Sequence, residues 1–182
     1  NVPVPPNIYS TMAKVIGVVF KLSNAYMGIA LKECGLNSLE EFLYLNTIAN
    51  TPKLKKTEVI YSNFSELSSG LLILDRLKKK GLLTEESDKV DKRSKRLILT
   101  RKGHDVLVNC FKNISLVNKL FFNEMSTDDI QLCIQLLRPV EIKFSSQWIS
   151  DKNKSYNELK IQQTKGHLEK PIVDIIVRLL IS

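Results

Sequence analysis

Residues 65–103, SELSSGLLILDRLKKKGLLTEESDKVDKRSKRLILTRKG, change their hydrophobic period part-way, and that change leaves few folds open. Up to Lys80 the apolar positions Ile73, Leu74 and Leu77 keep the three-and-four spacing of a helix. Gly81 follows, the residue that most readily takes the left-handed conformation closing a helix. Two short strand-like runs come next, residues 82–85 and 96–100. The polar loop between them carries Lys89, Lys92, Arg93 and Lys95, with Arg96 at its far edge. Two such runs around a charged loop predict a β-hairpin. Thr100 then opens another helix, predicted to run to about Phe122.

The same segment holds most of the chain's excess charge. Between Arg76 and His104 eleven Lys/Arg stand against four Asp/Glu, a net +7 out of a formal +8 for the 182 residues. A localised basic surface on a compact scaffold is the sequence pattern of a polyanion-binding site.

The flanking segments read mainly as helices. Ser10 or Thr11 is expected to cap a long helix ending near Glu33 and stopped by Gly35. Its apolar stripe, Met12, Val15, Ile16, Val19, Phe20, Met27 and Ala30, is wider than one small core requires. Ser38 with Glu41 three residues on forms a capping-box pattern for a helix over 39–49, which buries Phe42, Leu45 and Ile48. The Asn50-Thr51-Pro52 turn ends it. Helices over roughly 56–63 and 68–80 follow, with a turn at 65–67. After the 100–122 helix, Ser126 or Thr127 opens a further one, which Pro139 either kinks or interrupts. Residues 151–170 are polar and weakly patterned, and Pro171 starts a short amphipathic helix.

Several function classes are disfavoured. A hydrophobic content of 43% with 25% charged residues is ordinary for a soluble domain. The best candidate for a membrane span, 12–31, is interrupted by Lys14, Lys21, Ser23 and Asn24, so no apolar run reaches the roughly 18 residues required. With no signal peptide visible, a cytoplasmic protein without membrane attachment is expected. Cys34, Cys110 and Cys133 form no C-x-x-C pair and lie far from His104 and His167, so no metal is expected. The plainer reading of these cysteines is three reduced thiols; the sharper one is a redox-sensing thiol, with Cys34 the best candidate. There is no glycine-rich phosphate loop, nucleophile motif or His/carboxylate constellation, which argues against an enzyme and against a cofactor.

Helices 56–63 and 68–80 with their turn make a helix-turn-helix, and the hairpin makes a wing. In such a unit the second helix enters the major groove, and a wing arginine can reach the narrow minor groove. Four motif pieces, Leu74-Asp75-Arg76-Leu77, Lys80-Gly81-Leu82, Asp88-x-x-Asp91-Lys92-Arg93 and Leu97-x-Leu99-Thr100-x-x-Gly103, together resemble the MarR family signature in order and spacing. The resemblance extends over about residues 10–150 through the helix order. It implies a mainly α fold with a small β-hairpin wing: a winged helix-turn-helix with N- and C-terminal dimerisation helices. The implied divisions are a dimerisation helix in 1–37, the DNA-binding domain in 38–103, dimerisation helices in 104–150 and a polar extension over 151–182 ending in the amphipathic helix.

It further implies a homodimeric, ligand-responsive repressor that binds double-stranded DNA at a pseudo-palindromic operator. Asp91 would brace the wing and Arg93 would enter the minor groove, with Lys92, Lys95 and Arg96 on flanking phosphates. Ser68 and Ser69 would face DNA at the start of the recognition helix, and Lys55 and Lys56 would approach the backbone. Arg76 belongs to the same set, although pairing with neighbours is its plainer reading. Leu71 and Leu72 stand where many relatives carry polar or basic residues. One of them, Leu72 as the candidate, is expected to face the groove, where it can contact thymine methyls but not hydrogen-bond guanine. A small-molecule effector would sit in a crevice between dimerisation helices and DNA-binding lobes. Phe20, Tyr26, Phe42 and Tyr61 are candidate liners, with core packing the plainer role for each. Competing readings are a thiol-based redox regulator on the same fold and a winged-helix protein-interaction module that does not bind DNA.

Overall fold

The computed structural model describes residues 7–88 and 94–161. Six helices and one hairpin follow in order: α1 (Ile8–Lys32), α2 (Leu39–Asn50), α3 (Lys56–Ser62), α4 (Leu67–Lys79), β1 (Leu83–Ser87), β2 (Lys95–Leu99), α5 (Arg101–Phe122) and α6 (Thr127–Asp151). This is the mainly α architecture with a two-stranded wing that the sequence predicts. Residues 156–161 form a further helical segment where only weak patterning was expected. The amphipathic helix expected after Pro171 lies outside the described residues.

The helix ends have local causes. Asn7, not Ser10 or Thr11, caps α1: its side-chain oxygen accepts from the N–H groups of Tyr9 and Ser10 at 2.8 and 3.2 Å. Asn7 closes the proline-rich NVPVPPN stretch, and its cap geometry starts the helix a turn earlier than the apolar stripe suggests. Gly35 follows at φ 77°, ending the helix as expected. At α2, Ser38 Oγ accepts from the Glu41 N–H, but the Glu41 carboxylate turns to the Asn37 N–H, one residue earlier than a closed capping box needs. Gly81, at φ 70°, ends α4. Ser126 Oγ accepts from the Asp129 N–H and opens α6, which runs through Pro139 without interruption.

The core lies where α2, α3, α4, the hairpin and the middle of α5 meet. Tyr44, Leu45, Val59, Ile60, Leu77, Leu97 and Cys110 are fully enclosed. Burying a leucine or isoleucine of this kind contributes about 1.5–3 kcal/mol relative to exposure. The hairpin pairs antiparallel, Leu83 opposite Leu99 and Ser87 opposite Lys95. At its inner end Thr100 caps α5, its Oγ1 accepting from the Gly103 N–H at 3.0 Å and donating to the Gly81 carbonyl at 2.8 Å. Gly103 passes so close to the preceding loop that a Cβ there would stand 2.0 Å from the Leu82 carbonyl oxygen. Leu97, Thr100 and Gly103 of the signature are thus a buried anchor, a cap and a close approach.

The chain divides into two units, 1–130 and 131–182. In the first, α1 packs beside α5, with Tyr26 meeting Phe121 edge-on at 5.3 Å between ring centres. Only Leu31 of α1 is buried, and Met12, Val15, Ile16, Val19 and Phe20 are exposed. Contrary to the expectation from its interrupting lysines, α1 is long and apolar enough to cross a membrane by length and composition, with a mean hydropathy of 1.3. Lys14 and Lys21 interrupt the run without lowering its average enough. In the second unit, the α6 residues Leu136, Val140, Ile142, Phe144 and Ile149 are likewise exposed.

Candidate nucleic-acid interface

The packing of α3 and α4 follows from their apolar faces. Val59 and Ile60 of α3 and Ile73, Leu74 and Leu77 of α4 point inward. The turn between them is pinned by Asn63, whose Nδ2 donates to Thr47 Oγ1 at 3.1 Å and to the Val59 carbonyl at 2.8 Å. With that inward face fixed, Ser68, Ser69 and Leu72 fall on the outward face of α4. Leu72 is 62% exposed and Leu71 only 36%, which picks out Leu72 as the more outward of the two leucines. Glu66 begins the helix without a side-chain cap, so the first-turn N–H groups of α4 meet no capping oxygen. Such a terminus favours an anionic acceptor.

Two glutamates hold this helix in place, and sequence reading found neither in that role. Glu41 on α2 is 0% exposed. Its Oε1 accepts from Arg76 Nε at 3.1 Å, and its Oε2 accepts from Lys80 Nζ at 2.7 Å and from the Asn37 N–H at 2.9 Å. Burial alone would push the Glu41 carboxyl up, but the Asn37 N–H, Lys80 and Arg76 outweigh it and hold the group below its ordinary value. Arg76 therefore clamps α4 to α2, with its side chain still about half exposed. Lys80 also donates to the Gly35 carbonyl at 2.9 Å.

Glu85 on β1 is the second anchor. Its Oε1 lies 3.0 Å from both Lys56 Nζ on α3 and Lys78 Nζ on α4. The Lys56 contact holds the Glu85 carboxyl low against a smaller upward push from burial, and Lys78 adds to the lowering. Lys56, expected near the DNA backbone, is thus paired within the protein.

At the base of the wing, Arg96 Nε pairs with Asp88, its Nη1 donates to the Lys53 carbonyl at 3.0 Å, and Glu58 lies 3.6 Å away. Lys55 forms an isolated antiparallel bridge with Arg96, and its N–H donates to Glu58 Oε2 at 2.6 Å. Arg96 is thus an internal tie of the hairpin as well as a candidate phosphate contact. Asp88 provides a wing brace of the type expected from Asp91. Asp91, Lys92 and Arg93 lie outside the described residues. Lys55, Lys79, Lys95 and Arg101 have no acidic partner among the described residues.

A cavity of about 360 Å³ opens beside the hairpin between the end of α2, β2 and the start of α5. Ile48, Pro52, Leu97 and Ile98 form apolar walls, with Lys53, Arg101 and His104 among its lining residues. Phe20, Tyr26, Phe42 and Tyr61 do not line it. Phe42 is buried against Phe111 with ring centres 5.3 Å apart, Tyr26 packs on Phe121, Tyr61 packs against the core and Phe20 is exposed. No group of three or more potential metal ligands occurs among the described residues.

Two helices joined by a tight turn, with a basic hairpin behind the second, define a winged helix-turn-helix framed by longer helices. Solved structures with this fold are MarR-family transcriptional regulators. A MarR protein from Peptoclostridium difficile DA00132 superposes with a TM-score of 0.72 at 19% identity, covering 82% of this chain and 97% of that one. Bordetella bronchiseptica BpsR, whose DNA binding is regulated by 6-hydroxynicotinic acid, gives 0.66 at 15% identity over 75% and 97%. In sequence, the transcriptional regulator HosA of Escherichia coli O157:H7 is 26% identical over 98 residues, 54% of this chain and 73% of HosA. No protein-family model matches the chain. The fold is the MarR-family winged-helix fold.

Proposed function

We propose that this chain is a cytoplasmic, sequence-specific DNA-binding transcriptional regulator that acts as a homodimer on a pseudo-palindromic operator. One observation carries the reading: the outward face of α4, with Ser68, Ser69 and Leu72 beside uncapped N–H groups, is held in place by Arg76 and Lys80, which reach from the same helix to the buried Glu41 carboxylate. Ser68 and Ser69 reach base edges or phosphates, and Leu72 packs on thymine methyls. The wing residues Lys92, Arg93 and Lys95 contact the minor groove and its phosphates, with Arg96 tying the wing to the lobe. Lys55 faces the backbone, and Lys56 and Arg76 support the reading head from within while their exposed portions add positive charge.

The apolar surfaces of α1 and α6 supply the dimer contacts, which gives the two recognition helices the fixed separation that two half-sites require. Regulation is by repression relieved by a small molecule, a reading supported by the BpsR relative and by an apolar cavity with cationic edges beside the wing. The effector need only bind one lobe spacing better than another to shift the population.

The test is DNA selection from genomic fragments followed by gel-shift titration of the recovered site. Arg93→Ala is expected to weaken binding by about tenfold or more while the dimer persists. Affinity should fall steeply with salt, because several phosphates are neutralised. Unchanged affinity in Arg93→Ala would remove the wing from the interface. Failure to recover any site would favour a protein-interaction module.

A further inference from the structure

Arg76, Lys78, Lys79 and the C-cap Lys80 are the cations of α4, and three of them turn back onto the protein. Arg76 and Lys80 meet Glu41 at 3.1 and 2.7 Å, and Lys78 meets Glu85 at 3.0 Å. Lys79 has no acidic partner among the described residues, but it is the last residue of the helix, at the opposite end from the one that enters a groove. At the entering end the exposed side chains of the first two turns are Leu67, Ser68, Ser69, Leu71 and Leu72, with Asp75 a turn further on. None is an amide or a cation, so the bidentate pairs that single out guanine and adenine are missing. Serine hydroxyls bond to donors and acceptors alike and discriminate weakly, and the Asp75 carboxylate can only accept. What this face offers instead is apolar area: Leu72 is 62% exposed, Leu67 42% and Leu71 36%. Leu67 and Leu71 stand one helical turn apart with Leu72 beside them, so the three form one patch. The segment from Arg76 to His104, which holds most of the chain's excess positive charge, adjoins that patch and suits a polyanion.

The bases of a duplex present one apolar group in the major groove, the C5-methyl of thymine. We propose that α4 selects its target by that methyl, packing Leu72, flanked by Leu67 and Leu71, on consecutive or near-consecutive thymines in place of hydrogen-bonded base readout. The inference rests on the DNA-binding reading and adds what the recognition helix requires of the operator: thymines at the steps that the leucine patch covers. Each methyl taken from water into contact with leucine contributes about fourfold in affinity, the equivalent of about 0.8 kcal/mol for a buried group of that size. Discrimination then follows from a missing contact, since cytosine carries no methyl at C5 and guanine and adenine offer only polar atoms to a patch that cannot bond to them.

The full chain is first used to recover sites from genomic fragments; a chain that recovers none overturns the DNA-binding reading and this inference together. On a recovered site each thymine in turn is replaced by deoxyuridine, which removes the methyl and nothing else. At two or more steps of each half-site the affinity should fall about fourfold. The salt dependence should not change, because no phosphate contact is lost. At one such step the T·A pair is then exchanged for C·G and for 5-methylcytosine·G, and the methylated pair should bind about fourfold more tightly than the unmethylated one. Leu72→Ala removes a largely exposed side chain, so the lobe stays folded, and in this variant the uracil penalty should vanish at one step. That cycle couples one side chain to one methyl and separates direct contact from an effect of uracil on DNA shape. Three results would overturn the methyl reading while leaving DNA binding intact: no uracil penalty at any step, no gain from 5-methylcytosine, or a penalty undiminished in the combined Leu67→Ala, Leu71→Ala and Leu72→Ala variant.

Discussion

The lobe built from α2–α4 and the hairpin, and the long helices α1 and α6, use apolar residues in opposite ways. In the lobe nearly every described inward apolar side chain is enclosed, and the fully buried Glu41 carboxylate is held by three donors. On α1 a single residue is buried and on α6 none is, although both helices are rich in isoleucine, valine and leucine. Contiguous exposed apolar surface on this scale is seldom left bare in a soluble monomer and marks an interaction face. The lobe closes its own core together with the middle of α5; the exposed apolar faces of α1 and α6 are the surfaces that the proposed function assigns to contacts with a second copy.

If that contrast holds, substitutions rank by how far they disturb the closed packing of the lobe. The largest effect belongs to Gly103→Ala. The added Cβ would meet the backbone oxygen of Leu82, which cannot rotate away, at the junction where Thr100 caps α5 and the hairpin begins. A loss of about 4 kcal/mol or more is expected, in the range reserved for severe steric or backbone conflicts. Thermal unfolding monitored by circular dichroism would detect it as a large drop in Tm. A small drop would mean that the α5 junction yields.

Glu41→Leu comes next. Removing one partner of a buried ion cluster typically costs about 3–5 kcal/mol. Arg76 and Lys80 retain solvent access, so about 2–3 kcal/mol is the better expectation here. Urea denaturation measures the difference directly. The pH dependence has a definite sign. Glu41 and Glu85 are both held below the ordinary 4.5, so the unfolded chain binds more protons than the folded one in that window. Their stabilisation is present above pH 4.5 and is lost as pH falls through the lowered values. Glu41→Gln should flatten this acid limb, and an unchanged limb would remove Glu41 as its source.

These two positions also mark how far sequence reading reached. Gly81 and Thr100 were legible because their roles are local, a helix stop and a helix start; Leu97 and Gly103 entered only as parts of the family signature, and the close approach of Gly103 to Leu82 emerges with the fold. The outward placement of Ser68 and Ser69 came from the family resemblance, and the inward face of α4 set by Ile73, Leu74 and Leu77 agrees with it. Glu41 was read only as a capping-box residue, since its partners Arg76 and Lys80 lie 35 and 39 positions away and meet it only once α4 docks. Glu85 was hidden for the same reason, as its two lysines come from two different helices. Within the charge run internal pairing was read only for Arg76, whereas Lys78, Lys80 and Arg96, and Lys56 ahead of the run, are also engaged with carboxylates. Asn7 was missed because the prolines before it suggested that the extended segment continued.

Glu85→Gln tests the weaker of the two anchors. Its lysine partners are substantially exposed and its carboxylate remains partly open, so a loss of no more than about 1 kcal/mol is expected. The salt dependence should be measurable, since the pair is screened in a way that the enclosed Glu41 cluster is not. Equal losses at Glu41 and Glu85 would show that burial is not what separates them.

The smallest effect on the lobe, and the most informative for the contrast between regions, is expected from paired charges on α1. Val15→Glu with Val19→Glu places two carboxylates one helical turn apart on an exposed stripe, at positions 53% and 39% exposed. The lobe's unfolding transition, followed through the burial of its core, should move by less than about 0.5 kcal/mol at protein concentrations where the chain is monomeric. Association should suffer instead, because a dimer formed through that stripe must bury both new charges against apolar surface. Sedimentation velocity would then report monomer where the unsubstituted chain sediments as a dimer, and operator affinity would fall with it. Retention of the dimer would exclude the α1 stripe as its interface and leave the exposed face of α6 as the surface to substitute next.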